Sequence, residues 1–203
     1  MSFEYYEENH QEFIANTLNV DMSDLYEPFC QMLPKGATIL DAGCGSGRDT
    51  QFFINHGFKV VAIDASLKMV DATKKMTGAD CRHMSFENLN FEETFDAIWA
   101  CASLLHVRRE KLISVLDKFA NILLPSGLLY ASFKLGTKER QVGMRYFNDM
   151  TPETLNIALT SVLGLKSNKM WITDDARPQR GNEKWLNCIA KKEPSKSLPF
   201  LLD

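Results

Sequence analysis

Nothing in this chain of 203 residues approaches the ~20 consecutive apolar residues needed to span a bilayer, and no basic start followed by an apolar run precedes Asn9. The sequence therefore predicts a cytoplasmic protein without a membrane-spanning segment. Strong charge of either sign is also missing. A net charge of -3 gives no support to bulk nucleic-acid binding. The cysteines Cys30, Cys44, Cys81, Cys101 and Cys188 are scattered, with no C-x-x-C pair and no histidine at metal-ligand spacing. A disulfide framework and a zinc site are excluded, and reduced, mostly buried thiols are expected. Repeats, low-complexity tracts and an interdomain linker are absent too. One domain is expected, since 24% charged and 45% hydrophobic residues are ordinary for a globular chain long enough to bury a substantial core.

What the chain does contain is a cofactor-type turn. The run Ile39-Leu40-Asp41-Ala42 enters Gly43-Cys44-Gly45-Ser46-Gly47-Arg48, and a second apolar run, Val60-Val61-Ala62-Ile63, ends in Asp64. Glycines let a backbone approach a ligand closely, and a carboxylate at the end of the next strand can grip a ribose. The dinucleotide fingerprint needs glycine or alanine where this chain has Arg48, a bulky cation, so a pyrophosphate is disfavoured.

Around this turn the pattern alternates. Two helices are expected before about Pro34, then a strand at 38–42, a helix at 48–57, a strand at 58–63 and a helix at 66–77 with Ser66 as its N-cap. Strands follow at 80–84 and 95–101. Leu112, Val115, Leu116, Phe119, Ile122 and Leu123 recur at helical spacing through 109–124, and Pro125-Ser126-Gly127 is the expected stop. A strand at 128–134, a charged stretch at 136–149, a helix opening at Thr151-Pro152-Glu153 and two strands at 165–173 and 185–191 complete the order. Alternation argues a parallel sheet, and the two late strands argue an antiparallel edge pair.

Motif and order together resemble the class I S-adenosylmethionine-dependent methyltransferases. Within them the chain is similar to the bacterial small-molecule group that includes tellurite-resistance and ubiquinone or menaquinone biosynthesis methyltransferases. The resemblance implies an α/β, Rossmann-like three-layer sandwich, a mostly parallel seven-stranded sheet with an antiparallel final strand. It implies one domain over 1–193, with 1–34 as a helical lid segment and 194–203 as a tail. S-adenosylmethionine is the implied cofactor. The acceptor is expected to be a small molecule, with no nucleic acid or membrane as partner and a monomer or homodimer as the working unit. The Asn-Pro-Pro-Tyr or Asp-Pro-Pro-Tyr tetrapeptide of many amino-group methylating relatives is replaced here by Ala100-Cys101-Ala102-Ser103, which disfavours DNA adenine.

Ligands of open α/β sheets sit beyond the carboxyl ends of the strands, which singles out the segments after each one. Asp41, Gly43 and Gly45 follow the first strand, and the resemblance gives the acidic turn to the ammonium of the cofactor; a helix N-cap or turn role is the alternative for Asp41. Asp64, Ala65 and Ser66 follow the second strand, with Asp64 on the ribose hydroxyls. Met69 and Phe86 are expected to sandwich the adenine, with Ser85 at its edge, unless both are core residues. Ala100 follows the fourth strand. Tyr6, Phe13 and Thr17 resemble lid residues over the methionine end, and Arg48 is expected to meet the cofactor carboxylate, a lid acid, or a partner at its own helix start. His106 is the candidate catalytic base, against a structural role in the strand-to-helix loop. Lys134, Lys138, Arg140 and Arg145, with Tyr146, Phe147, Arg177 and Arg180, could draw an anionic acceptor or form a solvated surface. A nucleotide-dependent oxidoreductase and a non-catalytic S-adenosylmethionine-binding module are the rival functions.

Overall fold

The computed structural model describes residues 2–177, 180–181 and 183–194, so nearly all of the expected tail lies outside the described residues. The chain begins with α1 (Ser2–Thr17) and α2 (Ser23–Cys30). Helix α1 is broken at Asn9 (φ -113°, ψ 19°), whose side-chain amide donates to the Tyr5 carbonyl at 2.9 Å, a local bond that competes with the helical ladder. Then follow β1 (Thr38–Ala42), α3 (Arg48–Asn55), β2 (Lys59–Asp64), α4 (Leu67–Thr77), β3 (Asp80–His83), β4 (Phe95–Ala100) and α5 (Arg109–Ile122). The second half contains β5 (Leu123–Lys134), β6 (Glu139–Val142), β7 (Arg145–Asn148), α6 (Pro152–Thr160), β8 (Leu165–Asp174) and β9 (Lys184–Lys192).

Seven strands form one sheet in the order β3-β2-β1-β4-β5-β9-β8. From β3 to β5 every pairing is parallel, and β9 runs antiparallel to both of its neighbours. The final strand is thus inserted beside β5, and β8 forms the edge. This is the mostly parallel Rossmann-like sheet that the alternation implied.

Side-chain alternation explains the layers. In β1, β4 and β5, Ile39, Ala97, Trp99, Leu128 and Tyr130 point to one face, where Phe29 of α2 and Phe53 of α3 cover them. Leu40, Ile98, Ala100, Leu129 and Ala131 point to the other, against Val115, Leu116 and Phe119 of α5 and Leu155 of α6. Each Leu, Ile, Val and Phe among them contributes roughly 1.5–3 kcal/mol by leaving water. On the first face Trp99 stacks on Tyr130 with ring centroids 3.8 Å apart.

Two local expectations are corrected. Helix α5 ends at Ile122, and Pro125-Ser126-Gly127 lies inside β5 as a bulge, where the register slips between Phe95↔Leu123 and Ala97↔Leu128. The charged stretch after β5 is not a plain loop. Its residues 139–148 fold into the β6–β7 hairpin, outside the main sheet.

Candidate active site

The glycine turn is fastened to the strand beside it. Gly43 and Cys44 both donate their N–H groups to the Ile63 carbonyl, at 2.8 and 2.9 Å. Asp64, at the end of β2, accepts from Gly45 N at 3.0 Å and from Ser66 N at 2.9 Å, so one carboxylate spans two adjacent strand-end loops. Burial pushes its pKa up, against the backbone N–H groups of Ser66, Gly45 and Ala65.

The glycines admit protein as well as ligand. A Cβ on Gly43 (φ +92°) would lie 2.4 Å from the Ser103 Cβ, and Ser103 Oγ donates to the Ala42 carbonyl at 2.6 Å. On Gly45 (φ +51°) it would lie 3.2 Å from the Phe13 ring, which places α1 directly over the turn. Beyond β4, Ala102 has a positive φ of 51°, unusual for a residue with a side chain, and its N–H donates to Ser132 Oγ at 2.8 Å.

These segments enclose a cavity of about 1310 Å³ at the strand ends. Tyr6, Thr17, Gly43, Gly45 and Arg48 line it, as do Asp64, Ala65, Ser85, Phe86 and His106. Four of the expected site residues do not. Asp41 is 1% exposed and accepts from Thr50 Oγ1 at 2.5 Å, behind the turn; burial, with the Asp49 carboxylate nearby, pushes its pKa up. Ser66, Met69 and Ala100 are fully buried. Ser66 caps α4 by accepting from Met69 N at 3.3 Å, and Met69 and Ala100 are core residues, so of the pair expected to flank an adenine only Phe86 lines the cavity.

Arg48 is engaged by its own helix. Its Nε and Nη2 donate to Asp49 at 2.6 and 3.0 Å, and Asp49 also accepts from Tyr26 Oη (2.5 Å) and Trp99 Nε1 (2.8 Å). Burial would raise the Asp49 pKa, but the Arg48 charge and these donors hold it below the usual carboxylate range. The sequence reading missed Asp49; its only local signal was an acid beside Arg48 in the first turn of a helix.

His106 reaches the cavity wall with both ring nitrogens used. Nδ1 lies 2.7 Å from the Tyr146 carbonyl, which can only accept, so Nδ1 carries the proton and Nε2 accepts from Tyr6 Oη at 2.7 Å. Burial pushes its pKa down to about 4. In this arrangement the imidazole is neutral and committed at both nitrogens. It joins α1, the turn after β4, and the hairpin. Of the expected cations, Lys134, Arg145, Arg177 and Arg180 line the cavity, whereas Lys138 and Arg140 do not; Arg140 pairs with Asp149 at 2.7 Å.

Strand order, a clamped glycine turn after β1 and a cavity at the strand ends are those of a Rossmann-like fold with its ligand site at the strand ends. Residues 39–127 match the family model described as a methyltransferase domain. The cypemycin N-terminal methyltransferase of a Streptomyces species is 33% identical over 100 residues, covering 47% of this chain and 41% of that protein. The ubiquinone biosynthesis O-methyltransferase of Xanthomonas campestris is 31% identical over 104 residues, 48% of this chain and 43% of that one. The chain thus spans less than half the length of these curated relatives. Among solved structures, the Burkholderia thailandensis 1,6-didemethyltoxoflavin-N1-methyltransferase, with 1,6-didemethyltoxoflavin and S-adenosylhomocysteine bound, gives a TM-score of 0.73 at 21% identity, over 96% of this chain and 91% of that one. A TehB-like methyltransferase of Corynebacterium glutamicum gives 0.67 at 21% identity, over 94% and 98%. At such identities the likeness is one of fold. No helix among the described residues is long and apolar enough to cross a membrane.

Proposed function

We propose that the protein transfers the methyl group of S-adenosylmethionine to a small-molecule acceptor. The observation that carries this reading is the Asp64 clamp across Gly45 and Ser66 at the wall of a cavity of about 1310 Å³, above the ~300–1,000 Å³ usual for one small ligand. A carboxylate has about four acceptor sites; on Asp64 the backbone N–H groups of Gly45, Ser66 and Ala65 engage part of them, and the capacity left at the cavity wall suits a ribose hydroxyl. Phe86 offers a flat face beside Ala65 and Ser85, and Gly43, Gly45, Arg48 and Thr17 surround the remainder of the turn. When bound, the cofactor supplies an electrophilic methyl group on a sulfonium. Asp41, Ser66, Met69 and Ala100 support this wall from behind.

The chain's own part is placement and exclusion of water. Phe13 and Tyr6 of α1 cover the turn, and His106 holds Tyr6 against the hairpin, so the acceptor meets a walled pocket rather than solvent. This reading takes 1–193 as a single methyltransferase domain with 1–34 as its lid, working in the cytoplasm as a monomer or homodimer. The cations lining the cavity support an anionic acceptor.

Calorimetry with S-adenosylmethionine, S-adenosylhomocysteine and NAD tests the reading. Each hydrogen bond to a charged acceptor contributes about 1.5–3 kcal/mol, so Asp64→Ala should weaken S-adenosylhomocysteine binding by roughly 100-fold or more, with Asp64→Asn between the two. A preference for NAD, or undiminished binding by Asp64→Ala, would overturn it. A cofactor-binding parent that forms no S-adenosylhomocysteine from S-adenosylmethionine with any member of a broad metabolite panel would instead be a non-catalytic module.

A further inference from the structure

Most cations lining the cavity already have a counter-charge. Arg48 is tied to Asp49 (2.6 Å), Arg177 to Asp175 (2.7 Å), Arg180 to Glu183 (3.7 Å), Lys111 to Glu87 (2.7 Å), and Lys134 to Asp175 (3.0 Å) and Glu183. Arg108 has none among the described residues, but it is exposed to solvent. Arg145 differs from all of these. It has no carboxylate partner among the described residues; its side chain meets only the neutral Tyr6 hydroxyl, and its Nε is buried without a hydrogen-bond partner. Its guanidinium carbon lies 4.3 Å from the centre of the Tyr5 ring and 5.3 Å from that of Phe147.

Two aromatic rings and a buried N–H take this guanidinium partly out of water while the protein supplies no anion in return. Such a charge is attracted to whatever anion enters the cavity, and low local polarity strengthens that attraction. Position favours the acceptor over the cofactor. Arg145 opens β7 of the hairpin, whose Tyr146 and Phe147 meet His106, whereas the cofactor-type turn and Asp64 belong to β1 and β2. A single planar, uncompensated cation matches the charge and the two coplanar oxygens of a carboxylate better than the larger charge of a phosphate.

We propose that Arg145 anchors a carboxylate of the methyl acceptor, which makes the acceptor class small carboxylic acids; this assignment rests on the methyltransferase reading above. The rings of Tyr5 and Phe147 hold the guanidinium plane, and the hairpin thereby sets acceptor specificity.

The test uses the full chain saturated with S-adenosylhomocysteine, titrated with benzoate, its neutral isostere benzamide, and phenylphosphonate, with binding followed by ligand-observed NMR. Benzoate should bind about tenfold or more tightly than benzamide, and Arg145→Met, which keeps an apolar stem between the rings, should abolish that preference. Arg145→Lys, which keeps the charge without the fork, should restore part of it. Neither variant should change S-adenosylhomocysteine affinity by more than about twofold. Benzoate binding no tighter than benzamide, benzoate binding untouched by both substitutions, or a preference for phenylphosphonate would each overturn the assignment. Failure of the parent to bind S-adenosylhomocysteine would sink the methyltransferase reading, and the assignment with it; cofactor binding without carboxylate preference sinks the assignment alone.

Discussion

Acidification should strike this fold at His106. The imidazole is packed against Tyr6 and Phe147, receives the Tyr6 hydroxyl at Nε2, donates to the Tyr146 carbonyl, and feels the Arg145 charge. Burial moves its pKa from the ordinary 6.5 down to about 4, with the Tyr146 carbonyl opposing the shift and Arg145 adding to it. Between those values the unfolded chain binds more protons than the folded one. The stability this group contributes is therefore complete above about pH 6.5 and is lost as the pH falls towards about 4. At about 1.4 kcal/mol per unit, the loss is of the order of 3 kcal/mol, which for a chain of this size lowers Tm by roughly 6–12 °C. Thermal melts followed by circular dichroism, from about pH 7.5 to about pH 4.5, should be run on the parent and on His106→Gln, whose amide does not titrate there. Subtracting one series from the other removes the carboxylates common to both, including Asp41 and Asp64. The stability gap between parent and variant should narrow steadily on acidification; parallel melting curves across the range would refute a desolvated, neutral imidazole.

Gly43→Ala forces a Cβ to within 2.4 Å of Ser103 at a φ of +92°, and should cost about 1–3 kcal/mol in urea unfolding; an unchanged midpoint would mean the two loops do not meet so closely. Asp49→Ala leaves Arg48 buried without its counter-charge and orphans Tyr26 and Trp99, so a loss of about 3–5 kcal/mol is expected by the same method. A loss below about 1 kcal/mol would contradict the buried pair.

Short-range chemistry was readable before any coordinates. The strand at 38–42, the carboxylate closing the next strand and the Ser66 cap follow from apolar runs, glycines and one hydroxyl in adjacent positions, and the structure reproduces their elements almost residue for residue. Long-range pairing was not. Tyr6 and Tyr146, which decide the state of His106, are 100 and 40 residues away, and no periodicity announces them. Likewise Met69 sits on the helix after Asp64, but helical spacing alone could not tell a pocket-facing thioether from one turned into the core. The hairpin at 139–148 was hidden by its charge, since Arg140, Arg145 and their neighbours read as a solvated loop until Phe147 is seen packed inward against His106 and the Tyr146 carbonyl bonded to its ring. Pro125-Ser126-Gly127 gave a correct signal of chain interruption, yet neighbouring strands absorbed it as a bulge.

The interruption of the first helix at Asn9 turns one rod into two short levers. Ahead of it, Tyr6 rests on His106 and Ser2 receives the backbone of Tyr146; behind it, Phe13 shields Gly45. Because the kink falls between these two sets of contacts, the forward half is anchored on the hairpin and His106 and the rear half on the glycine turn, each by its own partners.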